Sequence, residues 1–274
     1  MYSGTTLTKY SGRVMGAHQK FDRVSRRQLT KLLGSRGHFP IISKILHFEG
    51  KNGPDAIKRK SPAHDEPWHY FNPFDEKDTQ LVELIQDHYD KLVEDLRANN
   101  SEKAAFEAAW LAHAIVDGLT PAHHYPYEEK LVELRGGRGN ETRTTYKEKL
   151  VMHGESRLQK VQNNWKMWGP KGLFTAHAMF EFGVASLIKP LTFSESLASK
   201  KDISTVAEIG VAVWFVRAAR EIAVLDMYHL YLEKGFTPSL AYQVRHKLGP
   251  IIVKCITLAW YQAVADASTT EPKA

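Results

Sequence analysis

The sequence predicts an all-α fold: a single-domain, multi-helix bundle closed around a buried polar site. Three observations predict it. Residues 76–97 carry Leu81, Leu84, Ile85, Tyr89, Leu92, Val93 and Leu96 as one apolar stripe of helical period. No segment alternates apolar and polar residues with the period of a strand, and neither a repeat nor a linker-like composition divides the chain. Inside the apolar run Trp110-Leu-Ala-His-Ala-Ile-Val-Asp stand His113 and Asp117, polar groups that need partners once buried. The expected divisions are an irregular arm (1–15), one domain (16–268) and a flexible tail (269–274).

Taken in order, residues 16–33 repeat Phe21, Val24, Leu29, Leu32 and Leu33 at helical spacing. Charged residues fill the gaps, so a first amphipathic helix is expected, closed by Gly34 and Gly37. A short helix follows at 40–47. Residues 48–76 hold Gly50, Gly53, Pro54, Pro62, Pro67 and Pro73, spaced too closely for a long helix. The aromatic residues Trp68, Tyr70, Phe71 and Phe74 predict that this loop is ordered and packed; Trp68, Tyr70 and Phe71 read as its anchors, with walling a substrate cleft as the alternative. The 76–97 helix stops at Asn99-Asn100-Ser101, and Ser101 is the expected N-cap of a central helix reaching about residue 117. Gly118 and Pro121 end that helix and turn the chain back. Arg135-Gly-Gly-Arg138-Gly reads as a solvated turn, with phosphate binding as its alternative. Helices are expected at 142–167, 175–188, 203–234 and 239–267.

Composition narrows the classes. The chain has 274 residues, 43% of them hydrophobic, and one cysteine, Cys255. Internal disulfides and multi-thiolate zinc sites are excluded. Thirteen histidines invite a search for a His/carboxylate site. The formal net charge of +6 suits anionic partners such as nucleic acid or acidic lipid head groups, beside the plain reading of a solvated basic surface. No apolar leader and no run of membrane-spanning length is visible, so a cytoplasmic location is expected, or a secreted one if a leader has been removed.

The chemistry begins at H-x3-D-x5-H. His113 and Asp117 share one helix face, and the turn after Gly118 can return His123 to them. Imidazole and carboxylate together suit zinc and similar divalent ions. A second helical pair, H-x3-E, is His177 and Glu181. The irregular loop supplies Asp55 and, fourteen residues on, His69, and the first helix supplies His18. Each pair alone also reads as an ordinary i,i+4 surface contact, and His113 as a satisfied core histidine. His38 or His47 rivals His18; His64 rivals His69; His124 rivals His123; His153 and Glu155 rival the last pair, without sharing a helix face. His88, His229 and His246 read as helix-surface residues.

The order H-x3-D-x3-P-x-H, then H-x3-E, preceded by an Asp and by His69-Tyr-Phe-Asn-Pro, resembles the zinc-dependent phospholipase C family. That family shares its all-α fold with single-strand-specific zinc nucleases. The likeness covers residues from about 14 to 190. It implies a buried polynuclear zinc site. Asp55, His69, His113 and Asp117 resemble the ligands of a first zinc, and His123, His177 and Glu181 those of a second. Asp117 and His18 resemble part of a third. Three departures stand against the family pattern. The family completes the third site with the amine and carbonyl of an N-terminal tryptophan, and this chain has none before Trp68. The family's members are mostly secreted. The gap from His123 to His177 implies an inserted segment.

The function the resemblance implies is a zinc-dependent phosphodiesterase of phospholipase C type. It uses two zinc ions, with the third in question, on a phospholipid or related phosphodiester at a membrane surface. Asp55 would be both ligand and catalytic group, orienting or deprotonating the attacking water. The alternatives are a nuclease acting on single-stranded nucleic acid, and a non-catalytic metal-stabilised scaffold. Oligomeric state is not legible in the sequence.

Overall fold

The computed structural model describes residues 1, 16–34, 38–50, 52–57 and 61–269. Among them there are helices and turns and no strand. The arm at 2–15 and the tail at 270–274 lie outside the described residues. Helix α1 spans Ala17–Leu33, α2 Ile42–Glu49, and α3 is the single turn Pro54–Ile57. Then α4 (Gln80–Arg97) and α5 (Ser101–Gly118) form the most extensively packed helix pair.

The α4–α5 connection shows why it is tight. Asn99 takes the left-handed conformation (φ 54°), which asparagine tolerates better than most side chains. The N-cap of α5 is Asn100, whose side chain accepts from Lys103 N at 3.3 Å; Ser101 is already helical. Helix α5 is buried nearly all round. Its alanines at 104, 105, 108, 109 and 112 are all within 1% of full burial. Small side chains let neighbouring helices approach closely, and Trp260 Nε1 donates to the Ala108 carbonyl at 3.1 Å. At its end, Gly118 leaves room for the Phe215 ring and Leu81; a Cβ there would lie 2.4 Å from Phe215. The site-bearing end of α5 is therefore fixed against the core.

After a 3₁₀ turn at Pro121–His124 come α6 (Tyr127–Leu134), α7 (Tyr146–Leu150), α8 (Arg157–Trp168) and α9 (Leu173–Ile188). The expected helix at 142–167 is interrupted. Met152 is fully buried, and Gly154 is pressed so close to the backbone of Lys160 that a Cβ would sit 2.5 Å from its amide nitrogen. Ser156 then caps α8, accepting from Gln159 N. The expected helix at 203–234 is three helices: α10 (Lys200–Ile209), α11 (Val211–Ala223) and α12 (Met227–Lys234). Gly210 at φ 83° and Asp226 at φ 49° make the breaks. The Arg135 turn is structural: Arg135 is buried and donates to the Glu148 carbonyl and Thr142 Oγ1.

The last segment is continuous from Pro238 to Ser268: α13 (Pro238–Gln243), a π turn, and α14 (Gly249–Ser268). By length and composition it could cross a bilayer, which the sequence reading did not anticipate, but 67% of its apolar window is buried inside the protein. It packs on α1, α4, α5 and α11 as a core helix. Two separate apolar cores result. The large one joins α1, α4, α5, α9, α11 and α14. The small one, around Tyr127, Leu131, Met152 and Met167, belongs to the 127–173 segment.

Candidate metal centre

Helix α5 delivers His113 and Asp117 side by side, His113 Nε2 3.1 Å from Asp117 Oδ2. The packed loop delivers His69, whose Nδ1 is 2.5 Å from the same Oδ2. The Phe71 amide, donating to the His123 carbonyl at 3.1 Å, ties that loop to the 3₁₀ turn. Helix α1 delivers His18, with Nε2 3.3 Å from Asp117 Oδ1 and its ring stacked on His113 at 4.0 Å. The 3₁₀ turn points His123 at α9, where His123 Nε2 and His177 Nε2 each lie 2.9 Å from Glu181 Oε1.

All eight sequence candidates thus converge. Ligand atoms lie within 4.8 Å of one another in three groups: His18, His113 and Asp117; Asp55, His69 and His113; His123, His177 and Glu181. The rival histidines stay apart. His38, His47, His64 and His153 are exposed, and His124 Nε2 donates to the Gly118 carbonyl at 2.8 Å as a helix-end contact. His88 is not a surface residue as expected. It is buried between α4 and α5, where Glu107 Oε2 lies 2.6 Å from its Nδ1.

Two participants were not anticipated. The Met1 ammonium contacts Asp117 Oδ1 and lies 3.4 Å from Glu181 Oε1. The Met1 carbonyl is 2.6 Å from His18 Nε2. Met1 therefore lies in the group of His18, His113 and Asp117. Glu49, fully buried at the end of α2, holds His113 Nδ1 at 3.1 Å. That contact turns the other ring nitrogen toward Asp117 and the cluster, as a carboxylate behind a ligating histidine does. The sequence offered no local sign of either contact, because the partners are 116 and 64 residues apart.

No family model matches this chain, and no curated protein matches it. What the centre can hold is therefore argued from its donors. A tetrahedral shell with bonds of about 2.0–2.1 Å sets neighbouring ligand atoms roughly 3.3 Å apart. The nitrogen–oxygen spacings of 2.9–3.3 Å around Asp117 and Glu181 match that. His113 Nε2 is buried close to Asp117 yet makes no hydrogen bond among the described residues. The Met1 ammonium already places positive charge between two of the carboxylates. The residues fit divalent cations.

The electrostatics agree. Burial opposes ionisation of Asp117 and Glu181, but the Met1 ammonium and the surrounding imidazoles outweigh it and hold both well below the usual carboxylate range. Burial pulls His113 down, yet Glu49 and Asp117 push it up to about 10. Burial, then the Met1 ammonium, holds His123 down to about 3, so it is neutral and ready to ligate. Asp22, buried behind the centre, is pushed well up by burial and then by the Glu49 charge.

Aromatic side chains border the centre. Tyr70 stacks on Tyr127 (centroids 5.4 Å, interplanar 7°) and lies 5.4 Å from the His123 ring. Tyr127 is 5.2 Å from the His177 ring. Phe71, in contrast, is buried against Phe215 and anchors the loop. Beside α9 lies a cleft of about 450 Å³ lined by Tyr125, Lys171, Leu173, Ala176, Tyr228 and Tyr231, among others.

Proposed function

We propose that this chain is a zinc-dependent phosphodiester hydrolase of phospholipase C type. The observation that carries the reading is the convergence of three His/carboxylate groups on Asp117 and Glu181 in one buried centre. Asp55, His69, His113 and Asp117 would hold one ion, and His123, His177 and Glu181 another. Asp117 and His18, with the Met1 amine and carbonyl, would hold a third. Bound divalent ions supply Lewis-acid stabilisation of phosphoryl oxygens and lower the pKa of a water.

The chain's own groups do the rest. Asp55, buried at 6% exposure in the second group, would orient a water and accept its proton as well as bind metal. Glu49 fixes the His113 ring. Tyr70 and Tyr127 wall one side of the centre, excluding bulk water. Lys171 and the Tyr125–Tyr228 cleft offer a cation and apolar walls for the remainder of a phosphodiester.

A nuclease acting on single strands is favoured by one specific observation. Lys20, Arg23, Arg26 and Arg27 line a groove of about 560 Å³ on α1, the helix that carries His18. Phosphate backbones suit such a groove.

Metal analysis of protein purified without chelator is expected to give at least two zinc equivalents, and fewer would sink the catalytic reading in favour of a scaffold. Lecithin-type lipid, sphingomyelin and single-stranded DNA assayed side by side separate the other two readings. Lipid hydrolysis without DNA cleavage rejects the nuclease, and the reverse rejects the lipase. His113→Ala is expected to remove the activity by about 10³-fold or more; an active variant counts against this centre.

A further inference from the structure

Helix α8 is amphipathic in the wrong sense for a helix on a protein surface. It packs inward with Met167 (3% exposed) and the half-buried Asn163 and Asn164. Outward it presents Leu158 at 69%, Val161 at 67% and Trp165 at 68% exposure. These three are spaced i, i+3, i+7, so they form one stripe. Surface helices normally turn such a stripe to the core. Here Ser156 caps the helix and Asn164 Nδ2 ties it to the Met152 carbonyl at 2.9 Å, so the outward orientation is held by specific bonds.

The charges on α8 itself are of one sign, and Glu155, just before its cap, is the one exposed carboxylate at that end. Arg157, Lys160 and Lys166 are exposed on α8, Lys171 follows it, and the helix contains no carboxylate. Arg157 and Lys166 lie on either flank of the stripe at helical spacing. The next helix, α9, packs on α8 and exposes Phe174, Met179 and Phe182 in addition. A solvated face would carry both signs and few large apolar groups. A face for another protein's core would not need cations on both edges without a compensating carboxylate.

We infer that the outer face of α8 docks the protein on an anionic phospholipid bilayer. Leu158, Val161 and Trp165 enter the headgroup–acyl boundary, and Arg157, Lys160 and Lys166 meet the lipid phosphates. An apolar stripe with an interfacial tryptophan and flanking cations is the pattern that lies in a membrane surface. The cations anchor by extending their aliphatic stems over the apolar face while their heads stay with phosphate. This surface does not depend on the chemistry proposed for the metal centre. It would, however, bring α9, which carries His177 and Glu181, close to a lipid substrate.

The test is co-sedimentation of the full chain with vesicles of phosphatidylcholine alone and with vesicles containing phosphatidylglycerol. The intact chain is expected to bind the anionic vesicles, less so as salt rises. The Leu158→Ser, Val161→Ser, Trp165→Ser triple variant is expected to bind roughly tenfold or more weakly. Arg157→Gln, Lys160→Gln, Lys166→Gln, which leaves the stripe intact, is expected to lose the preference for anionic vesicles. Val213→Ser, at an exposed apolar position on α11, is expected to bind as the intact chain does. Absence of binding by the intact chain would overturn the inference, as would equal binding by the triple variant. So would an intact chain that is dimeric in solution while the triple variant is monomeric, because the stripe would then cover a second copy. None of these readouts uses hydrolysis, so failure here leaves the metal centre untouched.

Discussion

Asp117→Asn is expected to lower metal content by at least one equivalent and hydrolysis by about 10³-fold or more, while costing the metal-free protein roughly 3–5 kcal/mol. The first two losses follow from position. One carboxylate oxygen faces His18 and the Met1 ammonium, the other faces His69 and His113, so a single side chain serves two ligand groups. The third follows from burial. Asp117 is 1% exposed, and its charge offsets an ammonium and several imidazoles that have no route to water. Removing one partner of a buried ionic set leaves the others uncompensated. Glu107→Gln is the control. That carboxylate is also buried and paired with a histidine, His88, but lies outside the centre. It is expected to destabilise the fold and leave metal content unchanged. Metal analysis and chemical denaturation in chelator distinguish the two variants, and an Asp117→Asn protein with full metal content would refute the assignment.

The metal-free protein is expected to be most stable near pH 6.5, with stability falling on both sides. His113, raised to about 10 in the fold, contributes stability that is complete below its unfolded value of 6.5 and is lost as pH climbs toward 10. The raised Met1 amine adds to that alkaline loss. His123 and His124, held at about 3 and about 4, act in the other direction. The unfolded chain binds protons at these two histidines below 6.5 and the folded chain does not, so stability falls as the medium becomes acid. Asp117 and Glu181, both depressed, add to the acid loss only once the pH passes below the ordinary carboxylate range. Several pKa units are involved, each worth about 1.4 kcal/mol, so the curvature should be large. Urea denaturation in chelator across pH 4–10 measures it; a flat profile would contradict the buried arrangement of these histidines. Metal binding should remove the alkaline loss that His113 causes and steepen the acid loss, because ions bind only the deprotonated imidazoles while the unfolded chain still takes up protons there.

The central helix and its His113–Asp117 pair were legible because periodicity and an i,i+4 spacing are local. Buried His113 and Asp117 in an alanine-rich run also advertised that something must satisfy them. The helix breaks at Gly154 and Gly210 were harder to read. Apolar period continues across both, and only the close approach of Lys160 and the positive φ of Gly210 decide the matter. His88 misled for a similar reason: on a stripe-bearing helix its spacing suits the surface, but Glu107 on the next helix neutralises the cost of burying it. Glu49 and Met1 had no sequence signature, since their roles are created only when α2 and the chain start meet α5.

The two apolar cores described above differ greatly in size, and that inequality bears on how the centre is reached. The small one, built on Tyr127, Leu131, Met152 and Met167, is attached to the rest by contacts such as Lys149–Glu66, the Ala63 amide donating to the Arg143 carbonyl, and the Tyr70–Tyr127 stack. Four buried side chains cost far less to expose than the main assembly, so the 127–173 segment can swing open as a cooperative unit while the bundle stays folded. Its amides should exchange with deuterium at a free energy below that of global unfolding, and uniform exchange across both parts would argue against such a unit. Opening would uncover Tyr70, His123 and His177 together. The chain would thus separate durability from access: one part keeping the scaffold intact over long times, and the other setting how fast ions enter, leave or are exchanged.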